Sequence, residues 1–511
     1  MPSNTALIAK NTLILYFRQL LLILASLYTV RIKLEILGIE DFGIYNIVSG
    51  FAIVFSFLDS TMTTSTQRFL NYSMGQNNKE ELHKIFNISL IIHFSVALII
   101  LILAETIGLW FFYNHLNIPP ERYFAALIVY QLSILSTVIT ILRVPYRAIV
   151  ISYEKMSFFA LMSIIEVLSR LGIIFLLPLI LYDKLIIYAL LILFSDISIF
   201  IFHKVYCSKN FDITRFNFYK DKVLFLKIAN FSGWSLLGHI ANTCCTNGRD
   251  IILNMFHGVT LNAAMGIASQ VNSTINTFVA NFQTAFRPQL IKSYAAKNDE
   301  YFERLIFQTS KLSFFLLFFI ALPLIINADF VIQIWLKNVP EYSIGFTRLM
   351  LLYSLQTSIS GPLIISIQAT GNIKKYELIS SLLLLLNLPL SILFLFLGFA
   401  PHFLIIIRII ISIFVVIWQL IYLVKNIKFP IIKYLYNVIT PIIIIFIISG
   451  IISFTFSNIF IGWTGLIFNC FISSISIITL VYFIGLNNQE RKVIISFILS
   501  KTKNFRYLFK Q

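Results

Sequence analysis

Four arginines of this 511-residue chain interrupt long apolar stretches: Arg18, Arg68, Arg249 and Arg287. A charged side chain at bilayer depth costs at least about 2.5–3.5 kcal/mol on insertion scales, so it usually faces a cavity or a partner. The planar guanidinium group binds phosphate oxygens in pairs. We therefore predict that these arginines bind a pyrophosphate group in a central cavity. For an arginine near a membrane boundary, such as Arg287, the alternative is a side chain that reaches the lipid headgroups.

Four carboxylates also lie in apolar stretches: Asp59, Glu105, Asp196 and Asp250. Ionisable groups at this depth often mark ion pathways in transporters. Each could bind H⁺ or Na⁺ and so couple transport to an ion gradient, and we take all four as candidate ion-coupling residues. The alternative is structural, because Asp196 and Glu105 could equally pair with a nearby arginine.

Motifs typical of several enzyme classes are missing from the sequence. It contains no GxxxxGK[ST] phosphate loop, no HExxH zinc motif and no nucleophile elbow. The four cysteines, with Cys244 next to Cys245, match neither a disulfide framework nor a metal-ligand spacing. The longest predicted outer loop, near 328–342, is too short to hold a catalytic domain. We expect no enzymatic activity, no metal and no bound cofactor.

The elements that position these residues must be membrane helices. Hydrophobic residues make up 58% of the chain, and the mean hydropathy is +0.87. Charged residues make up only 12% of the chain, against roughly 25% in soluble proteins. The net charge of +17 could indicate nucleic acid or a membrane surface. The apolar composition excludes nucleic acid and predicts an all-α, polytopic membrane protein.

Runs of about 20 apolar residues predict about fourteen transmembrane helices. Arg18 interrupts the first run, so we interpret that run as a retained helix and not as a cleaved signal peptide. The predicted spans are 12–30, 44–70, 85–112, 122–148, 156–181, 185–206, 225–254, 259–286, 305–327, 343–369, 377–397, 402–424, 434–456 and 462–485.

Lysine and arginine fix the predicted orientation, because short loops rich in these residues stay in the cytoplasm. With both termini inside, only five basic residues fall in outer segments: Arg31, Lys33, Arg122, Lys184 and Lys337. The inner segments carry many more, among them Lys79, Lys84, Lys155, Lys209, Lys220, Lys292, Lys297, Lys374, Lys375, Lys425, Lys428 and Lys433. We therefore predict that both termini are cytoplasmic and that the excess charge contacts anionic membrane lipids.

An internal repeat with a period of about 220 residues divides the chain into two halves. Its landmarks are the pairs Gly38 and Gly258, Arg68 and Arg287, Pro145 and Pro362, and Lys155 and Lys375. We predict an N-terminal lobe at 1–207, a connecting cytoplasmic loop at 208–222 and a C-terminal lobe at 223–424. Two further helices and a basic tail follow at 425–511. Lobes of equal orientation can rock about a central cavity, which favours alternating access.

Three segments resemble parts of bacterial polysaccharide flippases. They are 37–70, beginning LGIEDFGIYNIVSG, 144–170, beginning VPYRAIVISYEK, and 247–272, beginning NGRDIILNMFHG. Those flippases export O-antigen and capsule repeat units and belong to the multidrug/oligosaccharidyl-lipid/polysaccharide superfamily. After Asp59 this chain departs from the pattern, with Ser60 and Thr61 where Leu-Gly often follows.

The resemblance implies a bundle of two six-helix lobes plus two helices in the bacterial cytoplasmic membrane. It implies transport of an undecaprenyl-pyrophosphate-linked oligosaccharide from the inner to the outer leaflet. Glycosyltransferases and a polysaccharide polymerase of the same pathway would be partners. A flippase for the peptidoglycan lipid precursor and a cation-coupled multidrug exporter of the same superfamily are the alternatives. A membrane glycan polymerase or ligase is a further alternative, disfavoured by the short outer loops.

Overall fold

The structure, a computed structural model, describes residues 4–54, 56–115, 118–336, 339–457, 459–460, 462–487 and 490–491. These residues form helices joined by turns and contain no strand. The prediction of an all-α fold is therefore confirmed.

Seventeen α-helices follow one another through the described residues. They are α1 (Asn4–Val54), α2 (Ser56–Gly75), α3 (Lys79–Leu103), α4 (Leu109–His115), α5 (Tyr123–Ser152), α6 (Met156–Leu176), α7 (Lys184–Asn210), α8 (Lys222–Ala295), α9 (Asp299–Ile326), α10 (Ala328–Trp335), α11 (Ser343–Thr370), α12 (Lys374–Leu385), α13 (Asn387–Phe396), α14 (Phe403–Ile427), α15 (Ile431–Tyr434), α16 (Thr440–Phe456) and α17 (Gly462–Leu480). One short π-helical turn links α3 to α4, a second links α15 to α16, and a third follows α17.

Within the described residues, eleven helical segments are long and apolar enough to cross a membrane. They correspond to eleven of the fourteen predicted spans. Of the other three predicted spans, 12–30 lies in α1 and 44–70 falls in α1 and α2. The third, 259–286, lies in the second half of α8. The second half of α8 is rich in Asn, Gln, Ser and Thr, which is typical of a helix that faces other helices and not lipid.

The helices pack as two groups, α1–α7 and α8–α14, and α16 and α17 pack against α9. Contacts of α2 and α1 with α8 form the seam between the groups. In each group a glycine breaks a long helix at the same repeat position. Gly38 has a φ of 77° and Gly258 a φ of 74°, a left-handed conformation that glycine adopts without steric cost.

The repeat extends to the turns that follow α2 and α8. Asn77 and Lys297 both have a φ of 56°. Each precedes an asparagine that caps the next helix: Asn78 accepts from the backbone of Glu81, and Asn298 accepts from the backbone of Tyr301. Side-chain acceptors of this kind satisfy a helix N-terminus. The same local structure at the same repeat positions supports a duplicated origin for the two groups.

The bundle has two faces with different character. Turns 76–78, 153–155, 296–298 and 371–373 lie at one side, which we call the lysine-rich face. Gly75 lies against Ala295, Glu154 binds Lys292, and Gly371 lies against Arg68. At the other side, the opposite face, Arg122 pairs with Asp41 of α1 and with Asp183, which precedes α7. The prediction that the lysine-rich face is cytoplasmic stays a prediction.

The two C-terminal helices are tied to α9 by a buried charge. Lys311 is 1% exposed. Its ammonium group donates to the carbonyl of Gly485 at 3.0 Å and to Glu490 at 2.9 Å. Gly485 ends the π-helical turn after α17, where a carbonyl lacks an intrahelical donor and can accept from a side chain. The ion pair therefore fixes the end of α17 against the C-terminal lobe.

Candidate functional site

A polar cavity of about 470 Å³ lies inside the C-terminal lobe. Helices α8, α11, α12 and α14 line it, and Thr64 of α2 reaches it from the other lobe. Six side-chain amides face it: Asn242, Asn276, Gln283, Gln356, Gln368 and Gln419. Hydroxyl groups accompany them, among them those of Tyr353 and Tyr376. Amides and hydroxyls both donate and accept hydrogen bonds, so the lining suits a ligand with many hydroxyl groups.

One cation and one carboxylate lie in this cavity. Arg287 lines it from α8, and Glu377, which is only 7% exposed, lines it from α12. Neither side chain forms a hydrogen bond or ion pair to another residue of the described ranges. Arg287 is half-buried, and a guanidinium group in this setting with no ionic partner can bind an oxyanion. The cavity can therefore hold a ligand that combines an anionic group with a hydroxyl-rich group.

Two glycines make room for the polar side chains of the cavity. A Cβ atom at Gly238 would overlap the carboxylate of Glu377, and one at Gly361 would overlap the amide of Gln283. Both glycines lie inside helices, where glycine is less favourable than alanine by roughly 1 kcal/mol. The helices therefore give up local stability at positions where a cavity side chain needs space.

Arg18 lies at the seam between the two lobes. Its guanidinium group donates to Asn281 of α8 at 3.3 Å and stacks over Phe159 at 4.8 Å from the ring centroid. Asn281 in turn donates to Gln19 at 3.2 Å. None of these partners is charged, so the positive charge of Arg18 keeps its capacity to bind an anion.

Arg68 lies at the lysine-rich face. Its Nε donates to the carbonyl of Gln368, and its Nη2 donates to the carbonyl of Ala369, both at 3.1 Å. These carbonyls lie at the C-terminus of α11, where the partial negative charge of a helix end attracts cations. In this conformation the guanidinium group caps a helix of the other lobe. Arg68 and Arg287 are equivalent in the repeat, but Arg68 binds helix carbonyls whereas Arg287 lines the cavity.

Arg249 forms an ion pair with its neighbour in the chain. It is 1% exposed, and its Nε and Nη2 donate to Asp250 at 2.9 and 2.7 Å. Its Nη2 also lies 3.3 Å from the hydroxyl of Ser269. The predicted roles of Arg249 in pyrophosphate binding and of Asp250 in ion coupling would both require this pair to open, and both stay predictions.

The other three candidate ion-coupling residues also have polar partners. Asp59 accepts from Arg147 at 2.7 Å. Asp196 accepts from Ser136 and lies 3.7 Å from Arg170. Glu105 accepts from Gln131 at 3.1 Å. No group of three His, Cys, Asp or Glu side chains in the described ranges is arranged to hold a metal ion.

Glu377 was not among the site residues predicted from the sequence. The eleventh predicted span begins at Glu377, so this carboxylate was expected at the boundary with water, where a charged side chain is common. In the structure α12 begins at Lys374, and Glu377 is buried one turn inside it. The helix start after the Gly371 turn was the available signal.

Residues 8–293 match the model of a protein family described as polysaccharide biosynthesis protein. The match covers more than half of the chain. The chain belongs to this family. No curated protein matches the sequence.

Solved structures similar to this family member are transporters. The crystal structure of MATE in complex with MaD3S has a TM-score of 0.71 and 13% identity, and the match covers 82% of this chain and 96% of that one. A MOP superfamily transporter from Pyrococcus furiosus, whose binding pocket is described as having reversed polarity, has a TM-score of 0.67 and 14% identity, covering 82% and 98%. An outward-facing multidrug resistance MATE family transporter has a TM-score of 0.67 and 13% identity, covering 83% and 98%. At this identity the likeness shows the fold, which is that of MATE transporters.

Proposed function

We propose that this protein is a flippase for an undecaprenyl-pyrophosphate-linked oligosaccharide, such as an O-antigen or capsule repeat unit. By alternating access, it moves the headgroup from the lysine-rich, cytoplasmic leaflet to the outer leaflet of the bacterial cytoplasmic membrane. The family indicates polysaccharide synthesis, and the fold indicates a transporter.

The observation that carries the proposal is Arg287 in the amide-lined cavity. Arg287 offers a charge for the pyrophosphate, and the amides and hydroxyls offer hydrogen bonds for sugar rings. The polyprenyl chain stays in lipid, because it offers no hydrogen bonds to the amides and hydroxyls of the cavity. Glycosyltransferases that build the glycan and a polymerase that consumes it act before and after this step.

A cation-coupled multidrug exporter is the second candidate, and Glu377 favours it. This buried carboxylate could bind a cationic drug, or H⁺ or Na⁺ as a coupling ion. The MATE-like fold is compatible with this function. Arg287 in the same cavity disfavours it, since a like charge weakens the binding of a cation.

Reconstitution into liposomes separates the two candidates. The substrate is a fluorescent short-chain polyprenyl-pyrophosphate disaccharide, and its arrival in the other leaflet is measured by chemical quenching. We expect the wild type to move it, and Arg287→Gln to reduce the rate about tenfold or more, because a charge-assisted contact is lost. Arg304→Gln is the matched control, since Arg304 is exposed and pairs with Glu300 outside the cavity. Transport of ethidium without transport of the lipid would overturn the proposal.

A further inference from the structure

Residues 211–221, which we call the linker, connect the two lobes and pack against the side of α3. The fully buried side chain of Asn87, in α3, holds the linker backbone. Its amide donates to the carbonyl of Arg215 at 3.3 Å and accepts from the backbone N–H of Asn217 at 2.9 Å. These two bonds fix the backbone on both sides of Phe216.

The linker lies at the level of the membrane boundary. His83 also contacts it, with Nδ1 at 2.9 Å from the hydroxyl of Tyr219. His83 and Asn87 come four and eight residues after the start of α3, about 6 and 12 Å along the helix. The backbone at 215–221 is not helical, and lipid-exposed backbone of this kind does not enter the hydrocarbon. The linker therefore lies at the depth of the lipid headgroups.

The linker covers the lipid-facing side of α3. Phe94 and Leu98 follow Asn87 by seven and eleven residues, or about two and three helical turns, so all three lie on one face of α3. Phe94 is 61% exposed and Leu98 is 48% exposed. On a helix apolar enough to cross a membrane, such side chains contact lipid. The linker thus lies between the first turns of α3 and the surrounding lipid.

The polarity of the linker is the reverse of that expected in water. Phe216 and Phe218 are 64% and 65% exposed, whereas Asn87, to which the linker binds, is 0% exposed. Tyr219, the next residue, is half-buried against α3. In water, amides are mostly exposed and phenylalanines are mostly buried. Two exposed phenylalanines at headgroup depth fit a surface that contacts lipid.

Basic side chains flank the two phenylalanines. The segment 204–222 contains five basic and only two acidic residues. Arg215, Lys220 and Lys222 are exposed. Basic residues at a membrane surface are attracted to anionic headgroups. Aromatic and basic side chains together are typical of segments that bind the surface of anionic membranes.

We propose that the linker is a membrane-surface anchor for anionic lipid. Phe216 and Phe218 insert between the headgroups of the leaflet at the lysine-rich face, and Arg215, Lys220 and Lys222 bind lipid phosphate groups. The first half of the linker is fixed to α3 of the N-terminal lobe, and its last residue directly precedes α8 of the C-terminal lobe. The anchor therefore holds the joint between the lobes at the membrane surface.

Fluorescence quenching on the full chain in vesicles of phosphatidylcholine and phosphatidylglycerol tests the insertion. Phe216→Cys, Phe218→Cys and Gln76→Cys are labelled one at a time with the fluorophore NBD. The background carries Cys244→Ser and Cys470→Ser, since the other two cysteines are buried. Gln76 is the control, because it is exposed in a turn of the same face. The quenchers are iodide in water and phosphatidylcholine with a spin label near the top of one acyl chain.

We expect the spin-labelled lipid to quench the labels at positions 216 and 218 about twofold or more above the label at Gln76, with the reverse order for iodide. Melting temperature and size-exclusion profile show whether each variant folds, and either linker label decides alone if the other variant does not. Lipid quenching at the linker no stronger than at Gln76 would overturn the proposal. The two phenylalanines would then face water and offer a docking surface for a protein.

A second measurement tests the choice of anionic lipid. With the label at Phe218→Cys, we expect spin-labelled phosphatidylglycerol to quench about twofold more than spin-labelled phosphatidylcholine. The triple variant Arg215→Gln, Lys220→Gln, Lys222→Gln should lose this preference. A control that removes the same charge from exposed positions of the same face should keep it: Lys425→Gln, Lys428→Gln, Lys433→Gln. Equal quenching by the two lipids with the native basic residues present would contradict anionic-lipid binding by the linker.

Discussion

The arginines of this protein fall into two classes that differ in their partners. Arg143 and Arg170 both bind Glu166, at 3.2 and 2.9 Å, so their charges are matched inside the N-terminal lobe. Arg18 and Arg287 have no carboxylate within bonding distance in the described part of the chain. A paired buried charge can be purely structural, whereas an unmatched one is costly to retain without a function. The second class therefore contains the better candidates for ligand binding.

Gly238 tests how closely the cavity is packed. We expect Gly238→Ala to lower the melting temperature, because its Cβ overlaps the carboxylate of Glu377 and this buried side chain has to move aside. Gly233→Ala, in the same helix with open space around it, should be neutral or stabilising. Glu377→Ala should rescue Gly238→Ala. Equal melting temperatures for the two glycine variants would contradict this packing.

At the scale of elements, a three-residue ion cluster holds helix ends together at the opposite face. Arg122 binds Asp41 of α1 and Asp183, which precedes α7, each at 2.5 Å. Asp183 also caps α7 by accepting from the backbone of Leu185 and Ile186. Burial alone would raise the pKa of Asp183, but the hydrogen bonds from Arg122 and the backbone outweigh it, so the pKa is below its usual value.

This cluster should make the start of α7 sensitive to acid. A carboxylate whose pKa is lower in the folded state stabilises the fold above its unfolded pKa of about 3.9. That contribution is lost as the pH falls through the folded pKa. We therefore expect hydrogen exchange at 184–190, corrected for intrinsic rates, to accelerate below about pH 4. Asp183→Asn keeps the cap without the charge and should abolish the acceleration; an identical pH response in this variant would contradict the assignment.

At the scale of the whole molecule, two contacts hold the lobes together at the lysine-rich face, and we call them the inter-lobe latch. In the first, Arg68 donates to carbonyls at the end of α11. In the second, Glu154 accepts from Gln289 and Lys292 of α8, each at 2.8 Å. In the repeat α2 corresponds to the second half of α8, and α5 corresponds to α11, so the two contacts join equivalent pairs of helices. Alternating access requires both to break when this face opens.

Gly371 provides a test of the latch. A Cβ atom at Gly371 would overlap the guanidinium group of Arg68. We expect Gly371→Ala to increase the distance between spin labels at Gln76 and Lys375, two exposed positions of the lysine-rich face, measured by electron paramagnetic resonance. Gly398→Ala is the control, since Gly398 has a φ of 82° against 80° for Gly371 but open space around it. The same distances in both variants would contradict a latch at Arg68.

Local patterns in the sequence determined the all-helical fold, eleven of the membrane helices and the repeat. Apolar runs of sufficient length form helices in a membrane whatever their neighbours, because the backbone has no other donors or acceptors there. The repeat was also readable, since Gly38 and Gly258 need the same left-handed backbone wherever a helix bends in this way.

Tertiary structure alone decided which charges are matched. The partners of Arg68 are about 300 residues away in the chain, and Arg18 meets Asn281 only because α1 packs against α8. The turn at Gly371 shows only that a helix begins before Glu377, whereas the placement of Glu377 opposite Gly238 follows from the packing of α12 on α8. Electrostatic pairing acts over a few ångströms in space, whereas sequence patterns record only neighbours along the chain. For that reason the sequence predicted which basic residues lie in membrane helices, and the fold decided which of these residues remain available to bind a substrate.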